Sequence, residues 1–194
     1  MSTDYYSTSL TPFLREPPAG SARRSAYEVE ANPWARRGDV EAALFYRGTI
    51  VSAFGYIETR MGELAIRASR LDVYSAMREN FPFSAEKRST YLRKVFSTGP
   101  LKSFGAIAGL ALDRFDAAAE LRHLVAHARM QVLPDWGVSF DDFPKSGRGG
   151  LTVRRRRFLL EDLEREAWRA ARLSRLCQHL LSRLNAFDIL PEIE

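Results

Sequence analysis

Two of the chain's three histidines fall within Glu120-Leu121-Arg122-His123-Leu124-Val125-Ala126-His127, beside an arginine and a glutamate. These side chains suit cleavage of a phosphodiester in RNA. A neutral imidazole can take the proton from a ribose 2′-hydroxyl, and its conjugate acid can return one to the leaving oxygen. A guanidinium can stabilise the charge that builds on phosphorus. The ribose supplies the nucleophile, so the reaction asks for no metal and no cofactor. On a helix Arg122 and His127, five residues apart, lie about 140° apart, whereas His123 and His127 share a face. An arginine curling toward a helix end, or two copies meeting across a dimer, would bring Arg122 and His127 together.

A helix must carry this stretch. From about 100 to 130 apolar residues recur at helical spacing, with Ala117, Leu121, Leu124 and Ala128 on one stripe. Asp116, Glu120, His123 and His127 form a second, polar stripe. Pro100 suits the first turn of that helix, and Gly105 and Gly109 give it a small face for close packing. Upstream, Asp39 reads as the N-cap of a helix of about eight turns reaching Leu71. Gly48, Gly55 and Gly62 recur every seventh residue in it, either for close helix approach at a dimer seam or as unrelated bends. A short segment over 73–80 leads to Ser84, which reads as the cap of a helix over 85–96 with Tyr91, Leu92, Val95 and Phe96 inward. Past Met130 the period changes, and 136–143 and 151–158 alternate enough to be two short strands. A last helix over 160–187 turns Leu163, Ala167, Leu173, Cys177, Leu180 and Leu184 inward, and Pro191 ends it. Residues 1–38, broken by Pro12, Pro17, Pro18, Gly20 and Pro33, read as an extended or disordered arm. The expected fold is all-α: an antiparallel helical bundle over 39–194, with a small β-hairpin inserted before the last helix.

With 194 residues, 45% of them hydrophobic, the chain can bury one real core. Its one cysteine, Cys177, excludes an internal disulfide framework and fits a reducing compartment. The longest uncharged apolar runs, 48–57 and 103–112, fall far short of the roughly 20 residues a membrane span needs. The N-terminus lacks the basic and apolar regions of a secretory signal. A cytoplasmic protein without a membrane partner is therefore expected. Most of the net charge of +5 comes from residues 145–194, around Arg154-Arg155-Arg156-Arg157. Such an excess attracts nucleic acid or another polyanion. In a strand, however, alternate arginines point to opposite sides, and a solvated face is the plainer reading.

Arg122-His123-Leu124-Val125-Ala126-His127 resembles the Arg-x4-6-His motif of the HEPN superfamily, in which a polar residue follows the arginine, as His123 does here. Pro82-Phe83-Ser84, Lys87-Arg88 and Tyr91-Leu92-Arg93, one helix earlier, are similar to the matching text of bacterial abortive-infection and toxin-type members. The resemblance covers about residues 40–187. It departs at Ala128-Arg129, where many relatives place a glycine after the histidine. The resemblance implies a helical bundle that forms a homodimer with its two motifs facing across the interface. It also implies a metal-independent endoribonuclease with RNA as substrate and a cognate antitoxin as partner. In that activity Arg122 and His127 would be catalytic and His123 auxiliary. Some members have lost activity, so the resemblance equally allows a module that dimerises or binds an antitoxin, nucleotide or RNA.

Other readings of the same residues stay open. Arg122 and His127 fit a salt-bridge and hydrogen-bond cluster with Glu120 and Asp116. Glu120-x-x-His123 with His127 sets three possible metal ligands close together, but a di-iron bundle needs a second Glu-x-x-His, and the chain has none. His179, between Arg175 and Arg183, reads as a helix-surface residue. Glu58 and Glu63 are carboxylates on the first helix that could face the motif.

Overall fold

The computed structural model describes residues 35–80, 83–133, 137–143 and 153–191, without the side chains of 78–80. It is mostly helical, with a small three-stranded antiparallel sheet. The helices are α1 (Arg37–Ser69), α2 (Ala85–Val95), α3 (Gly105–Ala117), α4 (Ala119–His127) and α5 (Leu160–Ala186). The strands are β1 (Arg129–Leu133), β2 (Gly137–Asp142) and β3 (Arg154–Phe158), and 3-10 turns span Asp72–Asn80 and Gly99–Phe104. Two compact units share these elements. Among the described residues, the sheet unit holds those up to Arg47 together with those within His127–Glu164. The helical unit holds those within Gly48–Ala126 together with those from Arg165 to Pro191.

In the sheet unit β2 lies between β1 and β3, antiparallel to both. Strand alternation puts Met130, Val132, Val138 and Phe140 on one face, all buried, and the rings of Phe140 and Phe158 meet edge to face. Gly137 has φ +92°, and a side chain there would strike the Phe158 carbonyl oxygen at 2.3 Å. Two of the four consecutive arginines of β3 are held by β2: Arg154 by Asp142 at 2.6 Å and Arg155 by Asp141 at 2.7 Å. The Arg155 guanidinium keeps the Asp141 carboxyl below its ordinary range. The expected small hairpin is a three-stranded sheet, because a further strand, β1, follows the motif directly. The expected arm lies mostly outside the described residues. Its described end is ordered, with Ala35 buried and α1 beginning at Arg37. The Arg36 carbonyl accepts from the N–H groups of Asp39 and Val40, so Asp39 sits in the first turn and is not the cap. Its carboxylate still favours the positive end of the helix.

In the helical unit α2 starts as expected, with Ser84 Oγ accepting from the Lys87 N–H at 3.3 Å. Tyr91, Leu92, Val95 and Phe96 are buried. The single helix expected over 100–130 is instead a 3-10 turn, α3 and α4. The Ala118 N–H is shared between the carbonyls of Arg114 and Phe115, and α4 restarts after it with no proline or glycine at the break. Tyr74 is buried, its hydroxyl 2.9 Å from the Thr98 carbonyl oxygen and 3.0 Å from that of Val95. Gly99 passes beneath that ring at φ +63°, where a Cβ would lie 3.0 Å from the hydroxyl. Gly105 makes the close approach expected of it, against the Phe96 carbonyl oxygen, but Gly109, Gly48 and Gly55 face nothing within 4 Å. Arg67 is buried in α1 and holds the end of the chain through Asn185 Oδ1 and the carbonyls of Leu190 and Pro191. Cys177 borders an apolar cavity of about 30 Å³, and burial pushes its thiol up to about 11. No single helix among the described residues is long and apolar enough to cross a membrane.

Candidate functional site

Helix α4 has nine residues, with Arg122 in its first turn and His127 at its end. The Arg122 N–H donates to the Ala118 carbonyl at 2.9 Å, so the break after α3 directly sets where the Arg122 side chain starts. That side chain is 14% exposed. Its Nη1 donates to Glu58 Oε1 of α1 at 2.8 Å. Its guanidinium carbon stacks 3.7 Å from the centroid of Phe115 on α3 and 5.7 Å from that of Phe54 on α1. Those two rings are themselves 6.3 Å apart. Arg122 Nε is buried with no hydrogen-bond partner among the described residues. Burial pulls the Arg122 pKa below its ordinary value, against the opposing pull of Glu58 and Asp116. The group still remains a cation at any physiological pH.

Around this cation the helical unit assembles further charges. Arg88 of α2 donates to the Phe83 carbonyl at 2.9 Å and lies 3.4 Å from the Glu58 carbonyl oxygen. Asp116 accepts from Ser89 Oγ and Arg93 Nη2, each at 2.8 Å, and Arg93 also pairs with Asp113 at 2.7 Å. Those two carboxylates raise the Arg93 pKa. Asp116 therefore turns to α2 rather than forming one polar stripe with the histidines. Of the two carboxylates on α1, Glu58 reaches the motif, while Glu63 pairs with Arg60 and Arg67.

His123 is exposed on α4 and belongs with Arg122 to the helical unit. His127, also exposed, begins the second segment of the sheet unit. Arg122 pairs with Glu58, which sequence reasoning named without a contact, and not with the Glu120 it offered as a partner. The aromatic cradle of Phe54 and Phe115 was missed, and Arg88 and Arg93 were named only as part of the resembling text, without their contacts. The Arg122–Glu58 pair joins positions 64 residues apart, and no local spacing announces such a contact. Among the described residues no group of three or more His, Cys, Asp or Glu side chains is placed to hold a metal ion.

Chemically, Arg122 is a preoriented cation. One edge is held by a carboxylate, one face by aromatic rings, and Nε keeps an unused donor. No protein-family model, curated protein or solved structure matches the chain.

Proposed function

We propose that the chain is a HEPN-type, metal-independent endoribonuclease, an antiparallel helical bundle acting as a homodimer in the cytosol, as a toxin or phage-defence effector. Arg122 and His127 carry the reaction, and His123 assists. His127 takes the proton of a ribose 2′-hydroxyl, and the 2′-oxygen bonds to phosphorus. The bond from phosphorus to the 5′-oxygen breaks, and that oxygen receives the proton back from the imidazolium of His127. Arg122 stabilises the added negative charge on the phosphoryl oxygens. The products are a 2′,3′-cyclic phosphate and a 5′-hydroxyl.

The observation that carries this reading is Arg122 itself: a cation held by Glu58 and preoriented on Phe115. The same ion pair favours a second reading, a non-catalytic module that dimerises or binds an antitoxin, nucleotide or RNA. There Glu58 neutralises Arg122 and the cluster joins α1 to α4.

The test is cleavage of a mixed RNA pool in EDTA by the purified protein, beside His127→Ala and Arg122→Met. Cutting by the wild type alone, with cyclic phosphate ends, supports the ribonuclease. Equal cutting by all three sinks the assignment to this motif. No cutting by a folded wild type leaves the interaction module as the better account.

A further inference from the structure

Helix α5 presents a second cationic surface that the arginine run of β3 draws attention away from. Trp168, Arg172, Arg175, His179 and Arg183 are all exposed. At 100° per residue they fall within a sector of about 80°, along about 22 Å of helix. The opposite side of α5 is buried through Ala170, Leu173, Leu180 and Leu184, which fixes the stripe toward solvent. No acidic residue occurs between Glu166 and Asp188. Glu166 itself pairs with Arg169, off the stripe. Among the described residues no carboxylate reaches Arg172, Arg175 or Arg183, whereas Asp142 and Asp141 hold Arg154 and Arg155. Trp168 is 55% exposed within this row of cations.

We propose that this face of α5 binds single-stranded nucleic acid, the arginines meeting successive phosphates and Trp168 stacking on an exposed base. Charge complementarity selects a polyanion. The tryptophan selects one whose flat faces are accessible, which a single strand offers and a duplex hides. The surface lies wholly within the helical unit, on residues from Arg165 onward. It contains neither Arg122 nor His127. The proposal extends the ribonuclease reading without resting on it, because binding is measured apart from cleavage.

The experiment is fluorescence anisotropy of labelled 20-mers of oligothymidylate and oligouridylate, over a salt series, with the full-length protein. The DNA strand has no 2′-hydroxyl and cannot be cut by that chemistry, so its binding reads the surface alone. Both strands should bind, with log K falling against log salt at a slope of about −2 for three phosphate contacts. R172E/R175E should weaken binding at least about tenfold and flatten the slope. W168A should weaken it about tenfold with little change in slope. Both variants change only exposed positions and should keep the wild-type circular dichroism spectrum. Equal binding by wild type and R172E/R175E overturns the proposal, as does absence of binding to either strand. A 20-base-pair duplex binding as tightly as the single strand removes the role of Trp168. Competition by polyglutamate at equal charge concentration, as strong as by the oligonucleotide, makes this a general polyanion surface and also overturns it. Binding of RNA alone would place the recognition at the 2′-hydroxyl, elsewhere than on this stripe.

Discussion

Arg122 carries its charge to a place where one carboxylate meets it and its Nε meets none. Removing one partner of a buried ion pair leaves the survivor uncompensated, and the cost grows with how deeply that survivor is buried. Glu58 keeps a 40% exposed side chain, so the full cost of a buried pair does not apply. Glu58→Gln should lower stability by about 1–2 kcal/mol. Arg122→Met keeps contact with Phe115 and removes the unmatched donor, and it should cost less, below about 1 kcal/mol. Urea unfolding of the two variants decides this: if Arg122→Met is the more destabilised, the pair is a structural clamp and the spare donor carries no information. The same comparison separates stability from chemistry. The ribonuclease reading requires Arg122→Met to lose cleavage while remaining the better folded of the two.

The elements show what the sequence could and could not tell. The helical periods of α1, α2 and α5 made their inward faces legible, and the cap of α2 with them: Ser84 caps α2, and Leu173, Leu180 and Leu184 are buried, whereas the cap read at Asp39 for α1 lies inside its first turn. The split at Ala118 was not, since alanine continues a helix and only the shared N–H at that residue marks the restart. Strand β1 was hidden for a related reason. Arg129-Met130-Gln131-Val132-Leu133 follows an apolar helix directly, and its strand character comes from pairing with β2. Glycines read by spacing alone divide in the structure. Gly99 is held at positive φ under Tyr74, so Gly99→Ala should cost about 2 kcal/mol or more. Gly109 lies inside α3 with open space at its Cβ, so Gly109→Ala should gain about 0.5–1 kcal/mol. Thermal melts showing the same sign for both would contradict this account of α3 and the turn before it. In the sheet, the Asp141–Arg155 pair sets a pH dependence. Because the folded Asp141 pKa is depressed, its contribution is full above the ordinary value of 3.8 and is lost as pH falls through the folded one. The urea midpoint of the wild type should therefore drop further between pH 6 and pH 3 than that of Asp141→Asn, and parallel curves would remove the pair from the stability of β2 and β3.

For the molecule as a whole, the net charge of +5 can act as a diffuse field or through particular surfaces, and salt distinguishes the two. At about 0.1 M salt the screening length is about 10 Å, shorter than the stripe on α5, so only cations lying together act together. Arg156 and Arg157 are exposed but successive in a strand, and their side chains leave opposite faces of the sheet. Arg172 and Arg175 share one face of a helix. Reversing either pair to glutamate changes the net charge by the same amount. At about 0.1 M salt Arg172→Glu with Arg175→Glu should weaken oligothymidylate binding by about tenfold or more, and Arg156→Glu with Arg157→Glu by only about two- to threefold. At about 0.01 M salt the screening length grows to about 30 Å and the two variants should converge, because the summed field then reaches the strand wherever the charges sit. Equal losses at both salt concentrations would mean that total charge alone governs binding. A larger loss from the β3 pair would move the nucleic-acid surface to the sheet and make the arginine run, rather than the helix, the feature to follow.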